Sequence, residues 1–492
     1  MTDQFKARVV RGVGWSAVRT WSTRLVTFVV FPILARILGP EAYGLVALAG
    51  VFLTVLDIFS DVSFGAAIEQ RQDLEPEHLD AVFWAFAALG VFMTGTSIAA
   101  APLVAKFFDE PDLVPVIRWL SFAFLLQMVS GVQTSLLRRD LRMGVLAATA
   151  LAANVIGAAV GITMALTGRG VWSIVAQRLV LQFLTVALVW WQSHWRPRWR
   201  FSLTHLRDVS RFGLSVMGNR VLNYLNKQFD QLLIGRVLGK VDLGYYYTAT
   251  RLYTLLNNLL IGAISQVAMP AMARLQGDPE RFRRSYVKAC RYLCLVSLPI
   301  FVGLSIVSQD FILVLTGPEW LPSAPALQLL ALVGVVHVIQ YVNGAAIMAL
   351  GRADLRLLTQ AVHSVVNVIG FLMVVRHGFV AVAAAYTIRA WLLLPLDLAV
   401  SRWLGAVSVR ALAAAIWPQL IATAAMAGGL LVLRSQVLDT TGVMVRLLAT
   451  AGAGAVIYGG VISALDRHIW AEMKDLAQAA RLGQTAPVED QS

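Results

Sequence analysis

A ten-residue stretch occurs twice in this chain of 492 residues. The first copy reads ARILGPEAYG at residues 35–44, and the second reads GRVLGKVDLG at residues 235–244. Both copies contain the pattern R-[IV]-L-G-x4-G, and both lie between two long apolar segments, where a chain that crosses a membrane twice would turn. The pattern therefore predicts the same helix–turn–helix unit at two places, 200 residues apart.

Two further matches keep the same order along the chain. Arg138–Arg142 (RRDLR) matches Arg352–Arg356 (RADLR), and Asn154–Gly157 (NVIG) matches Asn367–Gly370 (NVIG), at offsets of 214 and 213 residues. Three matches in register predict that a six-helix unit has been duplicated. Because six crossings return the chain to its starting side, the two halves would be related by an axis along the membrane normal, with the transport path between them.

The composition is that of a membrane protein. Hydrophobic residues make up 58% of the chain and charged residues 14%, and the mean hydropathy is +0.69. A soluble domain is about 45–50% apolar and about 25% charged. Apolar windows of membrane-spanning length predict an all-α polytopic membrane protein of about 14 transmembrane helices, placed at 11–37, 42–66, 81–105, 113–137, 144–167, 171–193, 209–237, 242–272, 287–307, 323–350, 355–375, 379–401, 411–433 and 444–465.

The repeat and the spans together predict the domain organisation. We expect two six-helix lobes joined by a cytoplasmic loop, followed by two appended helices and a cytoplasmic tail. The limits are 1–193 for the first lobe, 194–208 for the loop, 209–402 for the second lobe, 403–465 for the appended helices and 466–492 for the tail. The connecting segments are too short to contain a catalytic domain.

The distribution of Lys and Arg predicts the orientation. Segments on the side of the N terminus hold 25 of these residues, and segments on the opposite side hold seven. Because positively charged loops stay in the cytoplasm, both termini are predicted to be cytoplasmic. Basic residues cluster at 196–211 and 274–291, where we expect contacts with anionic lipid headgroups. A nucleic-acid partner is not expected, because no folded domain lies outside the membrane.

Charged residues inside the predicted spans are the candidate functional residues. One charge at the bilayer centre costs at least ~2.5 kcal/mol, so these side chains should face water or one another. Seven cations against four acids favour an anionic substrate. The predicted substrate cavity contains Arg19, Arg24, Arg178, Arg220, Asn223, Lys227, Arg251, Asn258 and Arg389; possible ion-coupling residues are Asp57, Asp61 and Asp230; and Asp397 is the fourth acid. The alternative is a set of interhelical salt bridges that holds the bundle together.

Catalytic and metal-binding motifs are absent from the sequence. It contains no G-x4-G-K-[ST] phosphate-binding loop and no H-E-x-x-H zinc motif. We therefore predict no catalytic residues, no metal and no cofactor. Cys290 and Cys294 are one helical turn apart and are predicted to be packing residues, and His337 and His363 are predicted to form hydrogen bonds within the bundle.

Several motifs resemble those of a known family, the polysaccharide transporters, or Wzx-type lipid-linked oligosaccharide flippases. The resemblance covers residues 8 to 465 and is greatest for the colanic-acid exporter branch, although Glu69 stands where that branch usually has an uncharged residue. The motifs are LGPEAYG at 38–44, Asp57, DVSFGAAIEQR at 61–71, FFDEP at 107–111, GVWSIVAQ at 170–177, WRPR at 195–198 and GPEWLP at 317–322.

The resemblance implies the multidrug/oligosaccharidyl-lipid/polysaccharide exporter fold, in which two six-helix lobes form a V around a central cavity. It also implies a multi-pass protein of the bacterial inner membrane that moves undecaprenyl-diphosphate-linked repeat units to the periplasmic leaflet by alternating access. The implied partners are the lipid-linked oligosaccharide, membrane lipids, and the polymerase and other polysaccharide-assembly proteins. The glycan itself, whether exopolysaccharide, capsule or O-antigen, stays open.

Three other functions agree less well with the sequence. A multidrug antiporter of the same fold would favour acids and aromatic residues in its cavity, and the excess of Arg argues against it. A membrane glycan polymerase would need a large outer loop with carboxylates, and the outer loops are short. A membrane scaffold gives no reason for charges in the middle of the membrane.

Overall fold

The computed structural model describes residues 3–60, 68, 75–199, 228–436 and 442–466. These residues are almost entirely helical and include no β-strand. Two short 3-10 helices, Pro318–Ser323 and Val375–His377, lie between α-helices. The α-helices are α1 Asp3–Ser60, α2 Pro76–Phe108, α3 Leu113–Val129, α4 Gly131–Arg139, α5 Met143–Leu166, α6 Trp172–Gln192, α7 228–237, α8 Lys240–Ala273, α9 Pro279–Leu315, α10 Ala324–Ala349, α11 Ala353–Val374, α12 Phe379–Trp403, α13 Val409–Gln436 and α14 Val443–Leu465.

The helices have the length and composition of membrane spans. Ten described helices are long and apolar enough to cross a membrane, and an eleventh span forms if α3 and α4 are counted as one. Each of the fourteen predicted spans overlaps a described helix, the seventh only through 228–237. The prediction of an all-α polytopic membrane protein is therefore confirmed.

Four predicted spans differ from the helices that the structure contains. The span 11–37 and residues 42–60 of the span 42–66 both lie in α1, which a kink at Gly39 divides. The span 113–137 is divided by a bend of 40° between α3 and α4. At the bend Gly131 packs against the ring of Phe86, where a Cβ would lie 2.7 Å from a ring carbon. The span 287–307 is the middle of the longer helix α9. The helix begins earlier, in the charged turns 279–286, and continues through the mostly apolar residues 308–315.

The two copies of the repeated stretch form turns of the same kind. Gly39 and Gly239 both have positive φ, +72° and +89°, a backbone conformation that residues with a Cβ rarely adopt. The two turns also pack on each other reciprocally. A Cβ on Gly44 would overlap the backbone carbonyl of Lys240, and a Cβ on Gly244 would overlap the backbone carbonyl of Pro40. Such reciprocity is what a local two-fold axis between two copies of one turn produces.

The chain divides into two compact units that are not continuous in sequence. The first contains Met1–Arg251, Leu315–Ser323 and Ser364–Ala385, and the second contains Leu252–Val314, Ala324–His363 and Tyr386–Ser492. The limits of the two predicted lobes stay a prediction.

In the second unit, α13 and α14 pack on α9. Met426 and Leu430 of α13 and Ile462 of α14 are buried in one apolar cluster with Leu295 of α9. The hydroxyl of Tyr458 donates to the carbonyl of Leu295 at 2.8 Å. Apolar burial and a satisfied hydroxyl together hold both appended helices against α9.

An ion cluster joins the same three helices. The carboxylate of Asp310 in α9 is completely buried. Arg434 of α13 lies 3.1 Å from one of its oxygens, and the Nε of Arg446 of α14 donates to the other at 2.8 Å. A cation thus lies within ion-pair distance of each oxygen of Asp310, and Oδ1 also accepts hydrogen bonds from Arg446. Such pairing is the condition under which a buried carboxylate is tolerated.

Candidate functional site

The structure describes only part of the predicted substrate cavity. Arg220, Asn223, Lys227 and Asp61 lie outside the described residues, as does the side chain of Asp57. Among the others in the first half, Arg19 and Arg24 are partly buried along α1, and Arg178 is exposed on α6. The assignment of all these residues to a cavity stays a prediction.

Asp230 of α7 is buried and hydrogen-bonded. The hydroxyl of Tyr246 donates to its Oδ2 at 2.6 Å, and the backbone N–H of Gln231 donates to its Oδ1 at 2.8 Å. Both oxygens therefore have donors from the protein itself. Asp230 was predicted as a possible ion-coupling residue, whereas its partner Tyr246, on the next helix, was not predicted from the sequence.

Arg251 of α8 is partly buried, and its Nε has no hydrogen-bond partner among the described residues. Asn258, two turns further along α8, is exposed. A guanidinium with a free donor inside a predicted membrane span is costly unless it meets an anion or water. The Nε of Arg389 in α12 also has no partner among the described residues, so Arg251 and Arg389 are the two described cavity cations with a donor left for an anion.

Arg389 of α12 is buried and contacts other side chains of the second unit. Its guanidinium Nη1 lies 3.1 Å from Nδ1 of His363 in α11, and His363 Nε2 lies 3.2 Å from Oδ1 of Asp397 in α12. Gln340 of α10 donates to the other oxygen of Asp397 at 2.9 Å. The predicted cavity residue Arg389 thus belongs to a polar cluster of four side chains, hereafter the Asp397 cluster: Asp397, His363, Arg389 and Gln340.

Further hydrogen bonds surround this cluster. Nδ1 of His337 lies 2.6 Å from the hydroxyl of Tyr253, and the amide of Asn343 donates to the backbone carbonyl of Asp397 at 2.9 Å. The prediction that His337 and His363 are hydrogen-bonded in the bundle is confirmed. Cys290 and Cys294 are buried and free, as predicted for packing residues.

A second group of charges joins the repeated turns. The Nζ of Lys240 lies 2.7 Å from an oxygen of Glu41 and 3.1 Å from an oxygen of Glu110, which follows α2. The hydrogen bond to Glu41 raises the pKa of Lys240. This turn cluster (Glu41, Glu110 and Lys240) fastens both copies of the turn to the end of α2. All three residues lie in sequence motifs, but nothing in those motifs predicts that they meet.

Aromatic residues complete the packing around the turns. Trp320 is completely buried, and its indole N–H donates to the carbonyl of Ala35 at 3.0 Å. The rings of Tyr43 and Tyr245, one from each side of the repeat, contact Trp320 edge-on at centroid distances of 5.6 and 6.2 Å. One tryptophan thus packs against both copies, which adds to the contact between the turns.

The chain resembles known proteins over most of its length. Residues 33–325 match the family described as polysaccharide biosynthesis protein. The succinoglycan biosynthesis transport protein ExoT of Rhizobium meliloti is 32% identical over 68% of this chain and 67% of its own. The teichuronic acid biosynthesis protein TuaB of Bacillus subtilis is 27% identical over 71% of this chain and 72% of its own.

A solved structure shows the fold independently. The lipid II flippase MurJ, in an inward closed conformation, superposes with a TM-score of 0.75 over 93% of this chain and 99% of its own, at 14% sequence identity. The resemblance to polysaccharide transporters is therefore confirmed by sequence, and the exporter fold that it implies is confirmed by structure. The chain belongs to the polysaccharide biosynthesis protein family and has the fold of a membrane transporter.

Proposed function

We propose that this chain is a flippase that moves a polyprenyl-diphosphate-linked oligosaccharide repeat unit from the cytoplasmic to the periplasmic leaflet of the bacterial inner membrane. Membership of the family, the relatives' names and the flippase fold support the proposal. The observation that carries it is the partly buried Arg251, with its unpartnered Nε, inside a predicted span. A diphosphate supplies the anion that such a cation lacks.

Transport would proceed by alternating access through a cationic cavity. The diphosphate would exchange part of its hydration for Lys227 and Arg251, while the lipid tail stays in the bilayer. The packed turns would close the path on the side that the Lys and Arg distribution places outside, and they would separate to release the substrate. Since the inside is negative, each negative charge that moves outward gains up to ~2.3 kcal/mol per 100 mV, so ATP is not required.

The first test is complementation. The gene would be deleted in the source bacterium, and secreted polysaccharide would be measured as total carbohydrate in the medium. We expect secretion to stop and the wild-type gene to restore it. Secretion that continues at the wild-type level in the deletion strain would contradict the proposal.

The cationic cavity is tested with Arg251 and Lys227. Arg251→Gln and Lys227→Ala should lower secretion at least roughly tenfold, the effect of losing ~1.4 kcal/mol of charge-assisted binding. Arg251→Lys is the matched control: it keeps the charge and should retain most of the activity. Protein level in the membrane is measured in parallel. Normal secretion from both charge-removing variants would rule out the cationic cavity, whereas loss of the protein itself would indicate that the cations form structural salt bridges.

A further inference from the structure

The Asp397 cluster places a histidine between a cation and a carboxylate inside the second unit. His363 lies 11 residues into α11, about half-way along this 22-residue helix, and Arg389 lies 11 residues into the 25-residue α12. Asp397 lies closer to a helix end, six residues before the last residue of α12. Asp397 and Arg389 are buried, and His363 is largely buried. Ionisable groups at this depth are costly, and in transporters such chains of Asp and His mark ion and proton pathways.

The hydrogen bonds fix where the proton of His363 sits. Arg389 has only N–H donors, so the Nδ1 of His363 that it meets at 3.1 Å must accept. The ring proton is therefore on Nε2, from which it is donated to Oδ1 of Asp397 at 3.2 Å. In this arrangement His363 is neutral, Asp397 is ionised, and the free lone pair of the ring is occupied by Arg389.

One added proton changes these contacts in a defined way. Binding at Nδ1 turns His363 into an imidazolium, which keeps its Nε2–H···Oδ1 bond to Asp397 as an ion pair. The new Nδ1–H then faces a donor of Arg389, so this hydrogen bond must break. Loss of the proton restores the original contacts. The proton is the only species bound or released, and no other bond changes.

The surroundings give the cluster a net positive charge. The other charged and titratable groups around it are Arg356 from α11, His337 and Tyr341 from α10, Tyr386 from α12, Tyr253 from α8 and Tyr286 from α9. Asp397 is the sole carboxylate among these described groups. Since Arg389 and Arg356 already supply two positive charges, a third on His363 would repel Arg389. The ring of Tyr386, 4.7 Å from the guanidinium of Arg389, offers that cation a second contact.

We propose that His363 and Asp397 form the site at which a proton is bound and released during the transport cycle, and that proton binding frees Arg389. The inference rests on the proposed function and adds the coupling ion to it. It differs from the sequence prediction, which placed ion coupling on Asp57, Asp61 and Asp230. A passive hydrogen-bond network is the alternative, and in that case His363 would not titrate.

The first experiment counts protons without any substrate. The purified full chain in lipid nanodiscs is titrated between about pH 5 and about pH 8, the range in which histidine changes charge. His363→Gln keeps an amide donor and acceptor but cannot titrate, and we expect it to bind one proton fewer than the wild type over this range. His337→Gln is the matched control, because His337 is also buried and hydrogen-bonded but has no carboxylate partner. A His363→Gln titration equal to that of the wild type would overturn the proposal.

The second experiment measures coupling in cells of the deletion strain. Nigericin collapses the pH gradient and leaves the membrane potential. One unit of pH difference changes the equilibrium ratio of a transport step coupled to one proton by a factor of about ten, so we expect wild-type secretion to fall several-fold. His363→Gln should secrete less than the wild type at an equal protein level, and nigericin should not lower it further. Wild-type secretion that is insensitive to nigericin would refute proton coupling but would not contradict the proposal that the chain is a flippase. Failure of the wild-type gene to restore secretion would refute the flippase proposal, and the proton titration of His363 would still stand.

Discussion

Gly44 is the residue on which the contact between the two turns depends most directly. A methyl group at this position would overlap the carbonyl of Lys240, and the backbone cannot move aside as a flexible side chain could. Forcing a methyl group into packed structure typically costs ~1–3 kcal/mol. We expect Gly44→Ala to lower the melting temperature of the purified protein by several degrees.

Gly50, in the same helix, is the matched control for Gly44. No atom lies within 4 Å of a Cβ at this position. Gly50→Ala should leave the melting temperature unchanged or raise it slightly, because alanine is the better helix former by up to ~1 kcal/mol. Equal melting temperatures for both variants would show that the turns do not pack as described.

The contacts of Lys240 predict that the folded protein loses stability at alkaline pH. Its hydrogen bond to Glu41 raises its pKa in the folded state. The stabilisation is therefore fully present below the unfolded value of about 10.4, and it is lost as the pH rises through the higher folded value. We expect the melting temperature of the wild type to fall between about pH 9 and about pH 11 by more than that of Lys240→Met.

Arg236 is the control for the Lys240 measurement. It lies in the same turn, with its guanidinium 5.6 Å from the ring centre of Phe107 rather than beside a carboxylate. Arg236→Met should keep the alkaline fall of the wild type. If Lys240→Met and the wild type lose stability in parallel, the turn cluster contributes nothing to the folded state.

At the scale of helices, the ion cluster of Asp310 holds α13 and α14 to α9. Asp310→Ala would leave Arg434 and Arg446 without their carboxylate, and removing one partner of a buried ion pair costs roughly 3–5 kcal/mol. We expect a large fall in membrane protein level and melting temperature. Asp466 pairs with Arg291 and is less buried than Asp310. Asp466→Ala should therefore lower the melting temperature clearly less than Asp310→Ala does. Equal falls in melting temperature for the two variants would show that Asp310 does not hold α13 and α14 to α9.

The helices were largely predictable from the sequence, but their partners were not. Apolar length defines a span, and Gly39 and Gly239 identify their turns because residues with a Cβ rarely adopt positive φ. Helical periodicity gives the angle of His363 around α11 but not which helix lies beside it. The contact of His363 with Asp397, 34 residues away, therefore depends on how α11 and α12 pack. Glu110 reaches Lys240 for the same reason, from the end of a helix far away in sequence.

At the scale of the whole molecule, the distribution of Lys and Arg predicts which face is cytoplasmic. Reporter fusions after Ser435 and at the C terminus should report opposite compartments, because α14 lies between them. The fusion at the C terminus should report the cytoplasm. Two fusions in the same compartment would contradict the fourteen-span topology.

The reciprocal contact of the turns also bears on how the sequence can evolve. Gly44 and Gly244 each face the backbone of the other copy, so a larger residue at either position strains a contact shared by both. After the predicted duplication, the two halves could have diverged freely elsewhere, but at these positions each would constrain its counterpart. Across descendants of the same ancestor, positions 44 and 244 should therefore keep glycine together or lose it together. Independent drift at these two positions would mean that the contact is particular to this chain.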